Sequence, residues 1–135
     1  MQDEPRFEIR VRTMIVDNDK ILLVKERKPF EENWETPGGG LKSNETIEEA
    51  LEREAKEELG MEIKIGKIVD AVMHTFPDGN KTIHLIYNAK ILKKVSEPKK
   101  DIEGVKWFGK KEIELLIKEG KVDFHDKKVF ENFIK

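Results

Sequence analysis

The chain has 135 residues, with 26 Lys and Arg against 28 Asp and Glu for a formal net charge of −2, 40% charged residues and no cysteine. That length suits one domain, 1–135, burying roughly two-thirds of its unfolded surface, and the near-neutral charge argues against a stable nucleic-acid binder. Absent cysteines exclude disulfides and cysteine-based zinc sites, no apolar stretch approaches the roughly 18–20 residues that span a bilayer, and Met1-Gln2-Asp3-Glu4-Pro5 is no signal peptide, so a cytoplasmic protein is expected.

Residues 7–16 alternate enough for a strand, and Asp17-Asn18-Asp19-Lys20 turns the chain into a second one, Ile21-Leu22-Leu23-Val24. A calcium loop opening at Asp17 fails, because its glycine position holds Leu22 and its twelfth position Lys28. Lys28 to Asn33 reads as a charged loop. The glycine-rich stretch Trp34-Glu35-Thr36-Pro37-Gly38-Gly39-Gly40 follows, and then a helix over 47–59. Thr46-Ile47-Glu48-Glu49 spells its capping box and Gly60 its stop. Strands near 63–76 and 82–92 are joined by the turn Pro77-Asp78-Gly79-Asn80. Residues 97–103 read as loop and 105–108 as a short strand. A helix over 112–119 ends at Gly120, and Asp126 is placed to cap a last helix carrying Val129, Phe130, Phe133 and Ile134. Strands and helices interleave, so the expected class is α/β, with one mixed sheet between helices.

The helix over 47–59 carries the chemistry. Glu54, Glu57 and Glu58 stand at i, i+3 and i+4, with Cβ atoms roughly 5–6 Å apart on one face. Like charges so placed repel, and the last turn of a helix disfavours anions by a further ~0.3–1 kcal/mol each. Ile47, Ala50 and Leu51 begin the same stripe as apolar residues, so the acidic half is carried to the edge of a core. A divalent cation would turn the repulsion into binding. The plainer alternative is a solvated glutamate face, common in charge-rich chains.

The surrounding letters decide between these. From Gly39 the chain runs five residues to Glu45 and seven more to Arg53-Glu54, then Ala55, Lys56, Glu57-Glu58, Leu59, Gly60 and Met61. This resembles the signature of the Nudix hydrolase family: Gly, five residues, Glu, seven residues, Arg-Glu, aliphatic, any, Glu-Glu, any, Gly, aliphatic. Every fixed position matches; the mild departure is small Ala55 where a larger aliphatic is usual, which touches packing rather than chemistry. A P-loop reading of Gly38 to Ser43 fails, because the glycine positions of that motif hold Leu41 and Thr36.

The resemblance implies an α/β/α sandwich and an enzyme that hydrolyses a nucleoside diphosphate linked to another group, using Mg²⁺, with Mn²⁺ as the alternative. It implies Glu57 and Glu58 as metal ligands, Glu54 as a third ligand or the general base, and the Gly38 carbonyl as a further ligand. Gly39, Glu45, Arg53 and Gly60 are expected to support the site, Arg53 through an i, i+4 pair with Glu57 or an ordinary surface pair with Glu49. Family members often recruit another acid before a Trp-Phe strand, here Trp107-Phe108. Glu97, Asp101 and Glu103 qualify, and Glu103 is the choice because it lies nearest the strand.

Pro77 falls sixteen residues after Met61, a spacing that resembles family members acting on ADP-ribose, although proline also suits the turn it opens. ADP-ribose or another ADP-sugar is therefore the expected substrate. A (deoxy)nucleoside triphosphate, oxidised ones included, is the alternative, followed by a dinucleoside polyphosphate and by a catalytically silent nucleotide-binding module. Trp34 and Phe76 are candidates to stack a base, with Pro77 beside them. Members of the ADP-ribose branch are commonly homodimers, which makes a homodimer an expectation here, with Phe7, Ile9, Val11 and the charged loop at 28–33 either at an edge or equally plain core and surface. His74 and His84 lie on neighbouring strands; without a third ligand they read as ordinary sheet residues. His125 belongs to the turn before the last helix, and the scattered Lys-Lys pairs read as solvated surface.

Overall fold

The computed structural model describes residues 4–27, 33–99 and 101–135. Most of the charged loop read at 28–33 lies outside them. Strand β1 (Phe7–Asp17) turns through Asn18 and Asp19, both at positive φ (50° and 60°), into β2 (Lys20–Glu26). Two such residues in succession make the tight hairpin turn whose twist matches that of paired strands. Next come β3 (Gly38–Gly40), α1 (Ile47–Leu59), β4 (Met61–Thr75), β5 (Lys81–Lys94), β6 (Ile102–Gly109), α2 (Lys110–Lys118) and α3 (Lys127–Phe133).

The six strands form one sheet in the order β4-β5-β1-β2-β6, with β3 pairing β1 alongside β2. β1 and β5 run parallel and every other pairing is antiparallel, so the sheet is mixed as expected. Ile21, Leu22, Leu23 and Val24 of β2 are all buried, the sign of a strand covered on both faces. Their alternation sorts the two layers. Ile21 and Leu23 join Ile86, Phe108, Ile113, Val129, Phe130 and Phe133 beneath α2 and α3. Leu22 and Val24 join Ile15, Ala55, Leu59, Ile63 and Ala89 beneath α1. Ala55 packs there fully buried, and the small side chain lets α1 lie close on the sheet.

α1 keeps the expected bounds and caps. Thr46 accepts from the Glu49 N–H, Glu49 returns the bond to the Thr46 N–H, and Gly60 closes the helix in the left-handed region at φ 67°. A side chain at Gly60 would overlap the carbonyl oxygen of Ser96. Three expectations change. Gly38–Gly40 is a strand rather than a loop: Arg10, Val11 and Arg12 pair with Gly40, Gly39 and Gly38. Val11 is fully buried and β1 lies inside the sheet rather than at an edge, while Phe7 and Ile9 are exposed. Asp126 precedes α3 but caps nothing with its side chain; Thr36 claims both of its oxygens.

Candidate active site

The pairing of β3 on β1 sets the geometry of the acidic helix face. Thr13 donates to the Pro37 carbonyl and Leu41 to that of Ile9, so Gly38 and Gly40, at alternate positions of this ladder, have their polar groups turned away from β1. They turn toward α1. The Gly38 N–H donates to Glu58 Oε1 at 2.5 Å, and the Gly40 carbonyl accepts from Arg53 at 3.0 Å. A Cβ at Gly39 would stand 2.5 Å from Glu54 Oε1. The glycines are there because the backbone itself is a wall of the site.

Glu58 is 5% exposed. Burial pushes its carboxyl up to about 9, with the charges of Glu54 and Glu26 adding to the effect and the Gly38 N–H and Arg12 opposing it. Glu54 and Glu57 stand nearer the surface, held by Arg53, whose Nη1 lies 2.7 Å from Glu54 Oε1 and 3.4 Å from Glu57 Oε2. The other side of the guanidinium makes a bidentate pair with Glu45, at 2.9 and 2.7 Å. Arg53 thus ties the β3–α1 connection to the acidic face, and Glu49, its other candidate partner, is occupied by the capping box. Hydrogen bonds from Arg53 and from the Lys42 N–H hold the Glu45 carboxyl down to about 2.

These residues fit a divalent cation in their chemistry. Three carboxylates supply the hard oxygens that Mg²⁺ takes, and the Gly39 backbone closes on Glu54 with no side chain between. Among the described residues, Arg53 and Lys99, whose Nζ lies 3.1 Å from Glu57 Oε1, already offset part of that charge.

The segment before β6 therefore brings a lysine to the helix. Of its acids, Glu97 pairs with Lys94 at 3.3 Å and is largely exposed, and exposed Glu103 lines a groove with Leu59, Met61 and Pro98. The Asp101 carbonyl accepts from the Arg27 N–H. The acid outside α1 whose charge bears on Glu58 is Glu26, at the end of β2. Trp34 packs half-buried against Phe108, ring centroids 5.2 Å apart, and over Gly104, where a Cβ would meet the indole at 2.7 Å. Exposed Pro77 opens the β4–β5 turn.

A second constellation, built across the fold, adjoins the first. Arg12 is 3% exposed; its Nε donates to His84 Nδ1 at 3.0 Å and its Nη1 to the Thr36 carbonyl at 2.6 Å and Glu35 Oε1 at 3.3 Å. Glu35 is fixed by paired backbone bonds to Val24, both 2.9 Å. Burial pushes its carboxyl up to about 8 against the pull of Arg12, with Asp123 adding to the rise. Burial likewise pushes the His84 imidazole down to about 3, helped by His125 and Arg12. Asp126 is fully buried and accepts from the Thr36 N–H at 2.9 Å and hydroxyl at 2.6 Å.

His84 is no ordinary sheet residue: besides accepting from Arg12 it stacks on His125, centroids 4.4 Å apart and planes 7° from parallel. It does not oppose His74, which pairs with Thr82 while His84 pairs with Val72. Phe124 sits edge-on to His84 and 5.0 Å from His74, which in turn meets Phe76 at 4.5 Å. A cleft of about 440 Å³ opens among Arg12, Glu26, Glu35, Phe76, His84 and Phe124. Of these, the sequence singled out Phe76 and His84. Arg12 had one signal, a charge alternating with Ile9 and Val11 on β1, which also suits a solvated face.

The sequence matches the NUDIX domain family across residues 7–133. It is similar to an 8-oxo-dGTP diphosphatase of Proteus vulgaris, 32% identical over a stretch covering 62% of this chain and 76% of that one. It is also similar to the nucleoside triphosphatase NudI of Escherichia coli, 37% identical over 58% of this chain and 66% of that one. Its fold resembles a NUDIX hydrolase from Nitrosomonas europaea with a TM-score of 0.78 at 21% identity, covering 96% of this chain and 88% of that structure.

Proposed function

The chain belongs to the Nudix hydrolase family, a family of pyrophosphohydrolases, and on that premise we propose that it cleaves (deoxy)nucleoside triphosphates, oxidised ones included, to the monophosphate and pyrophosphate. The observation that carries the reading is the junction of its two constellations. The cleft bordered by Phe76, Phe124 and His84 is lined also by Glu26 and Arg12, whose charges act on Glu58. A base lying against these rings would place its phosphates toward Glu54, Glu57 and Glu58. The relatives named as acting on 8-oxo-dGTP and nucleoside triphosphates support this substrate over ADP-ribose. Exposed Pro77, the residue that suggested ADP-ribose, has a sufficient reason for its position in the turn it opens.

When bound, Mg²⁺ neutralises charge on the phosphates and lowers the pKa of bound water. Glu57 and Glu58 would hold it, with the Gly38 carbonyl on the same side, and Glu54 either completes that set or takes the proton from the attacking water. Arg53 positions Glu54 and Glu57 and offsets their repulsion. Glu45 positions Arg53. The test is hydrolysis with Mg²⁺ across dGTP, 8-oxo-dGTP, the common nucleoside triphosphates and ADP-ribose. A triphosphate should give the highest kcat/KM, with pyrophosphate released. Preferential turnover of ADP-ribose to AMP and ribose 5-phosphate would overturn the substrate and leave the family assignment standing.

A further inference from the structure

Among the described residues one trio of ligating side chains converges closely: Glu35, Asp123 and His125 each offer one ligand atom, all within 4.8 Å of one another. His125 adds an independent observation. It is 5% exposed, and both its ring nitrogens are buried without a hydrogen-bond partner. Its Nε2 lies 3.4 Å from Asp126 Oδ2, out of alignment for a bond, and that carboxylate is committed to Thr36. Asp126 is therefore at most a long contact for one ring nitrogen, and Nδ1, buried beside two further carboxylates, has no partner. We propose that Glu35, Asp123 and His125 form a second cation site at the floor of the cleft, selective for a zinc-like transition metal over Mg²⁺.

The donor set decides the metal. One imidazole nitrogen and two carboxylate oxygens suit Zn²⁺, which takes three protein ligands and leaves a fourth position for water. Mg²⁺ asks for a near-ideal octahedron of oxygens and is served better by the α1 carboxylates. Two carboxylates face the single charge of Arg12, whose shorter bonds go to His84 and Thr36 and which reaches Glu35 Oε1 at 3.3 Å. Bond lengths of about 2.0–2.2 Å require the donors to close by roughly 1 Å. Asp123 is the member free to close: it is half-buried, held through one oxygen by Asn33 at 2.9 Å. His125 is fixed by its stack on His84, and Glu35 by its backbone pairing with Val24. This trio differs from His74 and His84, which have no third ligand.

The test is calorimetric titration of the whole chain with Zn²⁺ in saturating Mg²⁺, so that the α1 carboxylates are occupied. One Zn²⁺ should bind per chain. His125→Phe keeps a ring to stack on His84 and removes both nitrogens, so it should fold with an undiminished metal-free Tm and lose affinity by on the order of 100-fold. Asp123→Asn should weaken binding similarly, and Glu57→Gln should leave it unchanged. No binding in saturating Mg²⁺, or binding that survives both His125→Phe and Asp123→Asn, would overturn the site. Its effect on turnover rests on the nucleotide reading above: Zn²⁺ at the cleft floor should raise KM for the triphosphate. Binding lost in the two variants, with KM untouched by Zn²⁺ in the wild type, would uphold the metal site and remove the base from this cleft.

Discussion

The acidic face of α1 and the cleft behind it are built in opposite ways. Glu54, Glu57 and Glu58 come from five consecutive residues of one helix, and Arg53 braces them from the same turn. Arg12, Glu35, His84 and Asp126 come from four separate segments, linked by bonds spanning 72 residues from Arg12 to His84 and 90 from Thr36 to Asp126. The first region is a concentration of like charge that folding alone does not favour. The second is a mutually satisfied buried network, in which removing one member leaves others unpaired. Perturbing the helix face should therefore cost activity, and perturbing this satisfied network or the strand that joins the two regions should cost stability.

The sharpest test of that division is Glu58→Gln. It keeps the oxygen that accepts from the Gly38 N–H and removes a charge that burial already resists, since the carboxyl is pushed up to about 9. With Mg²⁺ present kcat/KM should fall by about 1,000-fold, roughly 4 kcal/mol of lost transition-state stabilisation. The metal-free protein should melt no lower than wild type, because a neutral amide matches the protonated carboxyl that burial favours. Steady-state kinetics and thermal denaturation on the same preparation decide it. Near-wild-type turnover at limiting Mg²⁺ would remove Glu58 from the site.

Two adjacent glycines divide the regions more finely. A Cβ at Gly39 would meet the end of the Glu54 side chain at 2.5 Å, and that side chain can swing away. Gly39→Ala should keep its stability within about 1 kcal/mol and lose activity by about 100-fold, the scale of a misplaced reacting group. A Cβ at Gly38 would overlap the Val11 carbonyl and the Arg12 backbone, neither of which can yield without disturbing β1. Gly38→Ala should lower stability by roughly 1–3 kcal/mol or more, as overpacking does. Urea unfolding and kinetics of the pair check this. Equal losses of stability would show that Gly39 belongs to the fold rather than to the site.

The same contrast explains what could be read from the letters. α1 was legible to its bounds because capping, periodicity and stop all act within a turn or two. β2 was legible as a short apolar run, and the layers from the interleaving of strands and helices. β3 was not legible: three glycines have no side chains to alternate and carry no strand propensity, and only the pairing with β1 makes them a strand. The charged network stayed hidden for a related reason. Arg12 looks like any polar residue on an alternating strand, and Asp126 like any helix cap, until residues about 24 and 90 positions away turn out to be their partners. The letters likewise carried no sign that the segment before β6 would direct Lys99 at Glu57. Local chemistry shows in sequence; partners supplied by topology do not.

Glu45 stands where the helix face meets the connection from β3, and it provides the smallest effect. Arg53 and the Lys42 N–H hold its carboxyl down to about 2 from an ordinary value of 4.5. Between those values the unfolded chain binds a proton that the folded chain refuses, so this contribution is complete above about 4.5 and fades as pH falls toward about 2. Glu45→Gln cannot titrate. Urea unfolding of both proteins should show wild type the more stable at neutral pH, with the gap closing as pH falls through that window. The variant should also lose some turnover at neutral pH, because Arg53 is then free to abandon Glu54 and Glu57. A stability gap that stays constant down to pH about 2 would mean that the Glu45 carboxylate contributes only its shape, and that Arg53 is positioned by the α1 carboxylates and Gly40 alone.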